Sequence, residues 1–149
     1  MDYREAKKED LEEIIHLFQD DELGILREII GDPVDESYVK AFDEIRQDKN
    51  NEIWVIEADS KVVGVMQLTF IPYLSRTGTK RAQIESVRIH KNFRNKGVGR
   101  EFIRFALERA REKGCGIVQL TTDKTREKVH TFYERLGFSS THVGMKIYI

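Results

Sequence analysis

The residues best suited to chemistry lie in one run, VRIHKNFRNKGVGREF, residues 87–102. A strand-like pattern leads into a short basic loop, then two glycines one residue apart, then an amphipathic helix. The first amides of a helix have no partner within it and point at whatever sits at its start, so such a run builds an anion site. Gly97 and Gly99 remove side chains that would hold off a phosphate. Arg94, Lys96 and Arg100 bring positive charge to the same spot. A pyrophosphate suits this better than a neutral ligand. It is not the dinucleotide fingerprint G-x-G-x-x-G, because Phe102 stands at the third glycine. Nor is it a P-loop, because Gly99 is followed by Arg100-Glu101.

The elements around this run follow from periodicity. Residues 3–6 suit a short strand. Leu11, Ile14, Ile15, Leu17 and Phe18 recur at helical spacing, as do Tyr38, Ala41, Phe42 and Ile45. Residues 53–58 and 62–71 are β-branched strands joined by a turn at Asp59-Ser60-Lys61, and a loop at 72–79 precedes a third strand over 83–89. Val98 to Ala110 predicts a helix, 117–121 a strand, and Val129, Phe132, Tyr133 and Leu136 a last helix. One or two closing strands are expected in residues 138–149.

The whole chain, 149 residues with 25 Lys+Arg, 26 Asp+Glu and 40% hydrophobic residues, suits one soluble domain over 1–149 and a cytoplasmic location. The single cysteine, Cys115, excludes an internal disulfide framework and a Cys-cluster zinc site. Charge is strongly polarised. Residues 1–60 hold 7 Lys/Arg and 19 Asp/Glu, and residues 61–149 hold 18 and 7. One half could meet an anion, or the two halves could simply attract each other.

Arg94-Asn95-Lys96-Gly97-Val98-Gly99 resembles the coenzyme A pyrophosphate loop of the GNAT superfamily, the acetyl-CoA-dependent N-acetyltransferases. HTFYERLGF, residues 130–138, is similar to that family's last-helix signature, and the order of elements agrees along nearly the whole chain. The resemblance implies an α/β, single-domain GNAT-like fold: a mixed, mostly antiparallel twisted sheet flanked by about four helices. It implies acetyl-CoA as cosubstrate and no metal. Val87, Arg88 and Ile89 would offer edge backbone to pantetheine, and the amides of Arg94, Asn95, Lys96, Gly97, Val98, Gly99 and Arg100 would hold the pyrophosphate. Arg126 stands where the family commonly has an asparagine and could reach a phosphate instead.

Tyr133 matches the tyrosine that protonates the departing thiolate in many members. A phenol with a pKa of about 10 can donate to a thiolate whose conjugate acid lies near about 8.5. The competing reading is a core aromatic on a helical stripe. An attacking amine with a pKa of about 10.4 needs a base. Glu85 is the candidate, with Gln83 on the same face able to hold a water. Against that, Glu85 could merely pair with Arg81 or Arg88.

In such a fold the first two helices and their connection wall the acceptor, with loop 72–79 beside them and residues 144–149 at the edge. The connection carries Asp20, Asp21, Glu22, Asp32, Asp35 and Glu36. An acidic lip would favour a cationic amine within a Debye length of about 8 Å, although acids also simply favour helix starts. The expected partner is a small-molecule or peptide amine. Neither nucleic acid nor a membrane is expected, and a homodimer is compatible with the resemblance. The alternative is a catalytically silent acyl-CoA-binding regulatory module.

Overall fold

The computed structural model describes residues 1–20 and 24–149. Its frame is a five-stranded sheet in the order β1-β2-β3-β4-β5. β1 (Asp2–Glu5), β2 (Asn51–Ala58), β3 (Lys61–Ile71) and β4 (Arg81–Ile89) are successively antiparallel, and β5 (Ile117–Leu120) joins β4 in parallel. A parallel neighbour needs a crossover, which α4 (Val98–Glu112) supplies. Ahead of the meander lie α1 (Leu11–Gln19) and α2 (Glu36–Gln47). α3 (Ser75–Gly78) is a single turn within the expected loop, with Arg76 and Thr77 at left-handed φ. α5 (Glu127–Glu134) follows β5.

The two-residue period of the strands divides the core. Leu11, Ile14, Leu17 and Phe42 of α1 and α2 pack on Val55, Val62 and Val65. Phe102, Ile103 and Ala106 of α4 pack on the opposite face, against Ile56, Met66, Leu68 and Ile84. β3 therefore carries apolar residues on both faces, which is why it reads as an unbroken apolar run. Glu52 fastens β2 to the C-terminal end of α4. Its carboxylate accepts from Arg109 Nη2 (2.7 Å) and Nε (2.9 Å), from Trp54 Nε1 (2.8 Å) and from Lys113 Nζ (2.8 Å).

One expectation fails. Residues 139–149 form no strand, although their alternation has the strand period. A strand needs an edge to pair with, and among the described residues nothing after Leu120 enters the sheet. A Cβ at Gly144 would lie 3.9 Å from Thr121 Cγ2, and the apolar side chains around and beyond it are exposed.

Candidate active site

The site arises where β4 and β5 part. They pair from Arg81↔Ile117 to Ile84↔Leu120, and β4 then runs on through Ile89 with no β5 partner among the described residues. A bulge opens this stretch. Glu85 faces Gln67 and Arg88 faces Val65, so Ser86 and Val87 together oppose Met66, with Ser86 at a φ of 56°. A bulge bends its strand and re-aims side chains. Val87, Arg88 and Ile89 occupy this separated edge. The carbonyls of Val87 and Ile89 accept from Arg88 Nη1 (2.9 Å) and Arg94 Nε (2.7 Å).

β4 ends in a 3-10 turn, Lys91–Phe93, and the chain then enters α4 through two left-handed residues, Asn95 (φ 59°) and Gly97 (φ 82°). Left-handed residues among successive amides make a concave, anion-facing backbone. No side chain caps α4 at Gly97, and the first intrahelical bond runs from Glu101 N to Gly97 O (3.1 Å). The amides of Val98, Gly99 and Arg100 thus head a fifteen-residue helix without a side-chain acceptor at its N-cap. Lys96 and Arg100 are exposed beside them.

The two glycines do different work. Gly97 is required by its φ. A Cβ on Gly99 would point inward, at ordinary contact distance from Phe132 Cζ (3.6 Å) and Ile89 Cγ1 (3.8 Å), where α4 faces α5 and β4. Arg94 is also a tie: its Nη2 donates to Asp20 Oδ2 (2.8 Å) and Asp20 O (3.0 Å), joining the loop to the end of α1.

Tyr133 packs edge-on against Phe132 (ring centroids 5.1 Å apart) and Phe138 (5.6 Å). Burial pushes its hydroxyl above the ordinary tyrosine value; Arg88 and Arg126 pull it back, and Glu85 adds to the rise. The fold therefore gathers Tyr133, Glu85, Arg88 and Arg126 from β4, α5 and the turn before α5 into one electrostatic neighbourhood. Glu85 itself is exposed and accepts from Gln83 Nε2 (2.8 Å), and Gln83 accepts from Gln119 Nε2 (2.7 Å). Sequence reasoning missed Gln119, which continues this ladder onto β5; a polar residue inside Ile-Val-Gln-Leu was the available signal. It also missed the bulge at Ser86.

On the α1–α2 side of the bulge lies a cavity of about 180 Å³. Ile14, Phe18, Tyr38 and Ile53 line it, with Gln67 and Ser86 on the β4 side. Part of the acidic connection is engaged elsewhere. Asp20 holds Arg94, Asp35 accepts from Ser37 N (2.9 Å) as the N-cap of α2, and Glu36 pairs with Lys40 (3.3 Å). Asp21 and Glu22 lie outside the described residues. His130 Nε2 lies 2.9 Å from Asp123 O, and burial pushes the Cys115 thiol up, away from nucleophilic use. No group of metal-ligating side chains occurs among the described residues, and no described helix is long and apolar enough to cross a membrane.

Comparison with known proteins agrees with this geometry. The model of the Acetyltransferase (GNAT) family matches residues 11–138. The chain belongs to the GNAT acetyltransferase family. A crystal structure described as a transcriptional regulator from Bacillus halodurans C-125 superposes with a TM-score of 0.96 at 47% identity, covering 99% of both chains. Glucosamine 6-phosphate N-acetyltransferase from Arabidopsis thaliana is 28% identical over 123 residues, 80% of each chain. The Trypanosoma brucei brucei protein of the same name is 30% identical over 96 residues, 64% of this chain; the match spans 63% of that relative's length. The open, mixed sheet with its splayed β4 and β5 is the GNAT fold in this chain.

Proposed function

We propose that this GNAT protein is an acetyl-CoA-dependent N-acetyltransferase, a cytoplasmic enzyme acting through residues 1–149 as one domain on a primary amine with an apolar body. The observation that carries the reading is the start of α4, uncapped at Gly97, beside a β4 edge that runs on past β5. The loop residues Arg94, Asn95, Lys96, Gly97, Val98, Gly99 and Arg100 would hold the pyrophosphate, largely through backbone amides. The backbone of Val87, Arg88 and Ile89 would take the pantetheine, with Arg126 available to a phosphate. Acetyl-CoA, when bound, supplies the thioester.

Glu85 takes a proton from the ammonium form of the acceptor, directly or through a water held by Gln83. The free amine attacks the thioester carbon, the carbon–sulfur bond breaks, and Tyr133 gives its proton to the sulfur; the second proton of the attacking nitrogen, shed as the amide forms, returns through water to the Tyr133 phenolate, and Glu85 releases its own to solvent. Burial keeps Tyr133 protonated through the neutral range, and the charges of Arg88 and Arg126 ease the transient phenolate. The acceptor's body would enter the cavity between α1, α2 and the bulge, whose lining is mostly apolar. Asp20, at the end of α1, is already taken by Arg94.

The test is coenzyme A release from acetyl-CoA with hexylamine, phenethylamine, spermidine and glucosamine 6-phosphate. The first two should give kcat/KM at least about tenfold above the others, a difference of about 1.4 kcal/mol. Preference for spermidine or glucosamine 6-phosphate would overturn the apolar acceptor. A second reading is a silent acyl-CoA-binding regulator, favoured by the description of the Bacillus halodurans relative as a transcriptional regulator. Acetyl-CoA binding with no release for any amine would favour it.

A further inference from the structure

We propose that Gln119 and Gln83, anchored on Arg81, position the Glu85 carboxylate for its proton transfer. The inference rests on the reading of Glu85 as the base and names the residues through which the fold controls it. The two-residue period of β4 turns the buried Ala82 and Ile84 to the α4 side and sets Arg81, Gln83 and Glu85 together on the opposite face. The parallel register places Gln119 of β5 directly against Gln83. Arg81 Nη1 donates to Gln119 Oε1 (3.4 Å), Gln119 Nε2 to Gln83 Oε1 (2.7 Å), and Gln83 Nε2 to Glu85 Oε1 (2.8 Å).

The direction of this series has a chemical cause. A guanidinium only donates and an ionised carboxylate only accepts, so the two ends impose one sense on both amides between them. An amide that accepts from a charged or polarised donor becomes a better donor itself, by about 10–30% per bond in such chains. Arg81 therefore bears on Glu85 although a direct pair is out of reach: four residues of strand separate them, roughly 13 Å. The anchor is itself held. Its guanidinium lies over the Tyr73 ring, 3.8 Å from the centroid, and its buried Nε has no hydrogen-bond partner among the described residues.

Packing does not ask for these amides. Gln119 is the polar member of Ile-Val-Gln-Leu and is half-buried, where an unpaired amide is costly and a leucine is not. Gln67, which faces Glu85 from β3, is turned elsewhere. Its Nε2 donates to Asn51 Oδ1 (3.3 Å), which also accepts from Thr69 Oγ1 (2.6 Å). Glu85 stands just past the last described β4–β5 pair, Ile84↔Leu120, exposed and with a long side chain free to sample rotamers. A base works only within hydrogen-bond reach of its proton, so a wandering carboxylate loses rate and not coenzyme affinity. Gln83 supplies the hold on Glu85, and Gln119 fixes Gln83.

The experiment is steady-state coenzyme A release with hexylamine, or with whichever amine of the panel above reacts faster. Wild type is compared with Gln119→Met, Glu85→Gln and the double variant. Gln119→Met should lower kcat about tenfold and change KM for acetyl-CoA less than about twofold, with its circular dichroism spectrum retained. Glu85→Gln should lower kcat further. Adding Gln119→Met to it should change kcat by less than about twofold, because a positioning residue then has no base to position. A merely structural role would multiply the two losses. The ladder is also read without turnover, in nitrogen–proton correlation spectra. Glu85→Ala should shift the side-chain amide protons of Gln119, and in the Gln83→Met background it should leave them in place. Unchanged kcat in Gln119→Met, multiplied losses in the double variant, or unmoved Gln119 amide protons would each overturn the proposal and leave Glu85 as the base. If Glu85→Gln keeps the wild-type kcat, or no amine reacts, the base reading falls and this role falls with it.

Discussion

At the residue scale, Tyr133 carries the sharpest consequence. It sits on a helical aromatic stripe with Phe132 and Phe138, so sequence pattern alone also fits a core residue. It also lies within electrostatic reach of Glu85, Arg88 and Arg126, a neighbourhood that packing alone does not require. Tyr133→Phe keeps the packing and removes the proton, so kcat should fall about 10²-fold while KM for acetyl-CoA changes by less than about twofold. The raised hydroxyl stays protonated until the pH passes the ordinary tyrosine value of about 10, so the wild-type kcat profile should decline only above that and the variant should lack that limb. Unchanged kcat would leave Tyr133 as packing alone. The loop into α4 and the place of Tyr133 on the last helix were legible because each lies in a local pattern. Arg94's tie to Asp20 was not, since the two are 74 residues apart and meet only through the fold. Gly99 was read as clearance for phosphate because a sequence does not reveal where a missing Cβ would point.

At the element scale, the helices and the meander were legible from the 3.6 and 2.0 residue periods, and most boundaries moved by only a residue or two. The bulge at Ser86 was not, because nothing in Ile-Glu-Ser-Val breaks the strand pattern. It falls where β4 parts from β5 and brings Ser86 into the lining of the cavity beside α1 and α2. Glu52 shows how the elements are fastened. Burial would raise its carboxyl, but hydrogen bonds from Arg109, Lys113 and Trp54 more than offset this and hold it at about 2. A depressed carboxyl stabilises the fold above its ordinary value of about 4.5 and loses that contribution as pH falls toward about 2. Glu52→Ala removes the carboxylate that Arg109 and Lys113 share and leaves Arg109 only the exposed Glu112. It should cost about 3 kcal/mol and lower Tm by on the order of 10 °C at pH 7. The wild-type and variant melting curves should converge toward pH 2. A variant within about 0.5 kcal/mol of wild type at pH 7 would mean that the cluster adds nothing to the joint between β2 and α4.

At the scale of the whole molecule, the charge polarity is explained in part by the two halves meeting. Asp20 with Arg94, and Glu52 with Arg109 and Lys113, join the acidic first part of the chain to the basic second part. Lys96 stays exposed at the start of α4, and Arg100 beside it pairs only with its neighbour Glu101 (3.2 Å). The closing strands expected in residues 138–149 are absent, because an alternating period shows that a segment can pair and not that an edge takes it up. The most direct test of the account is calorimetric titration of acetyl-CoA into the wild-type protein and into Gly97→Val. Valine at a φ of 82° forces the loop to move, so the amides at the start of α4 lose their arrangement. We predict one site per chain with micromolar affinity in the wild type and at least about tenfold weaker binding in the variant, with its circular dichroism spectrum retained. No binding by the wild type, or equal affinity in both, would contradict the placement of the coenzyme at this helix start.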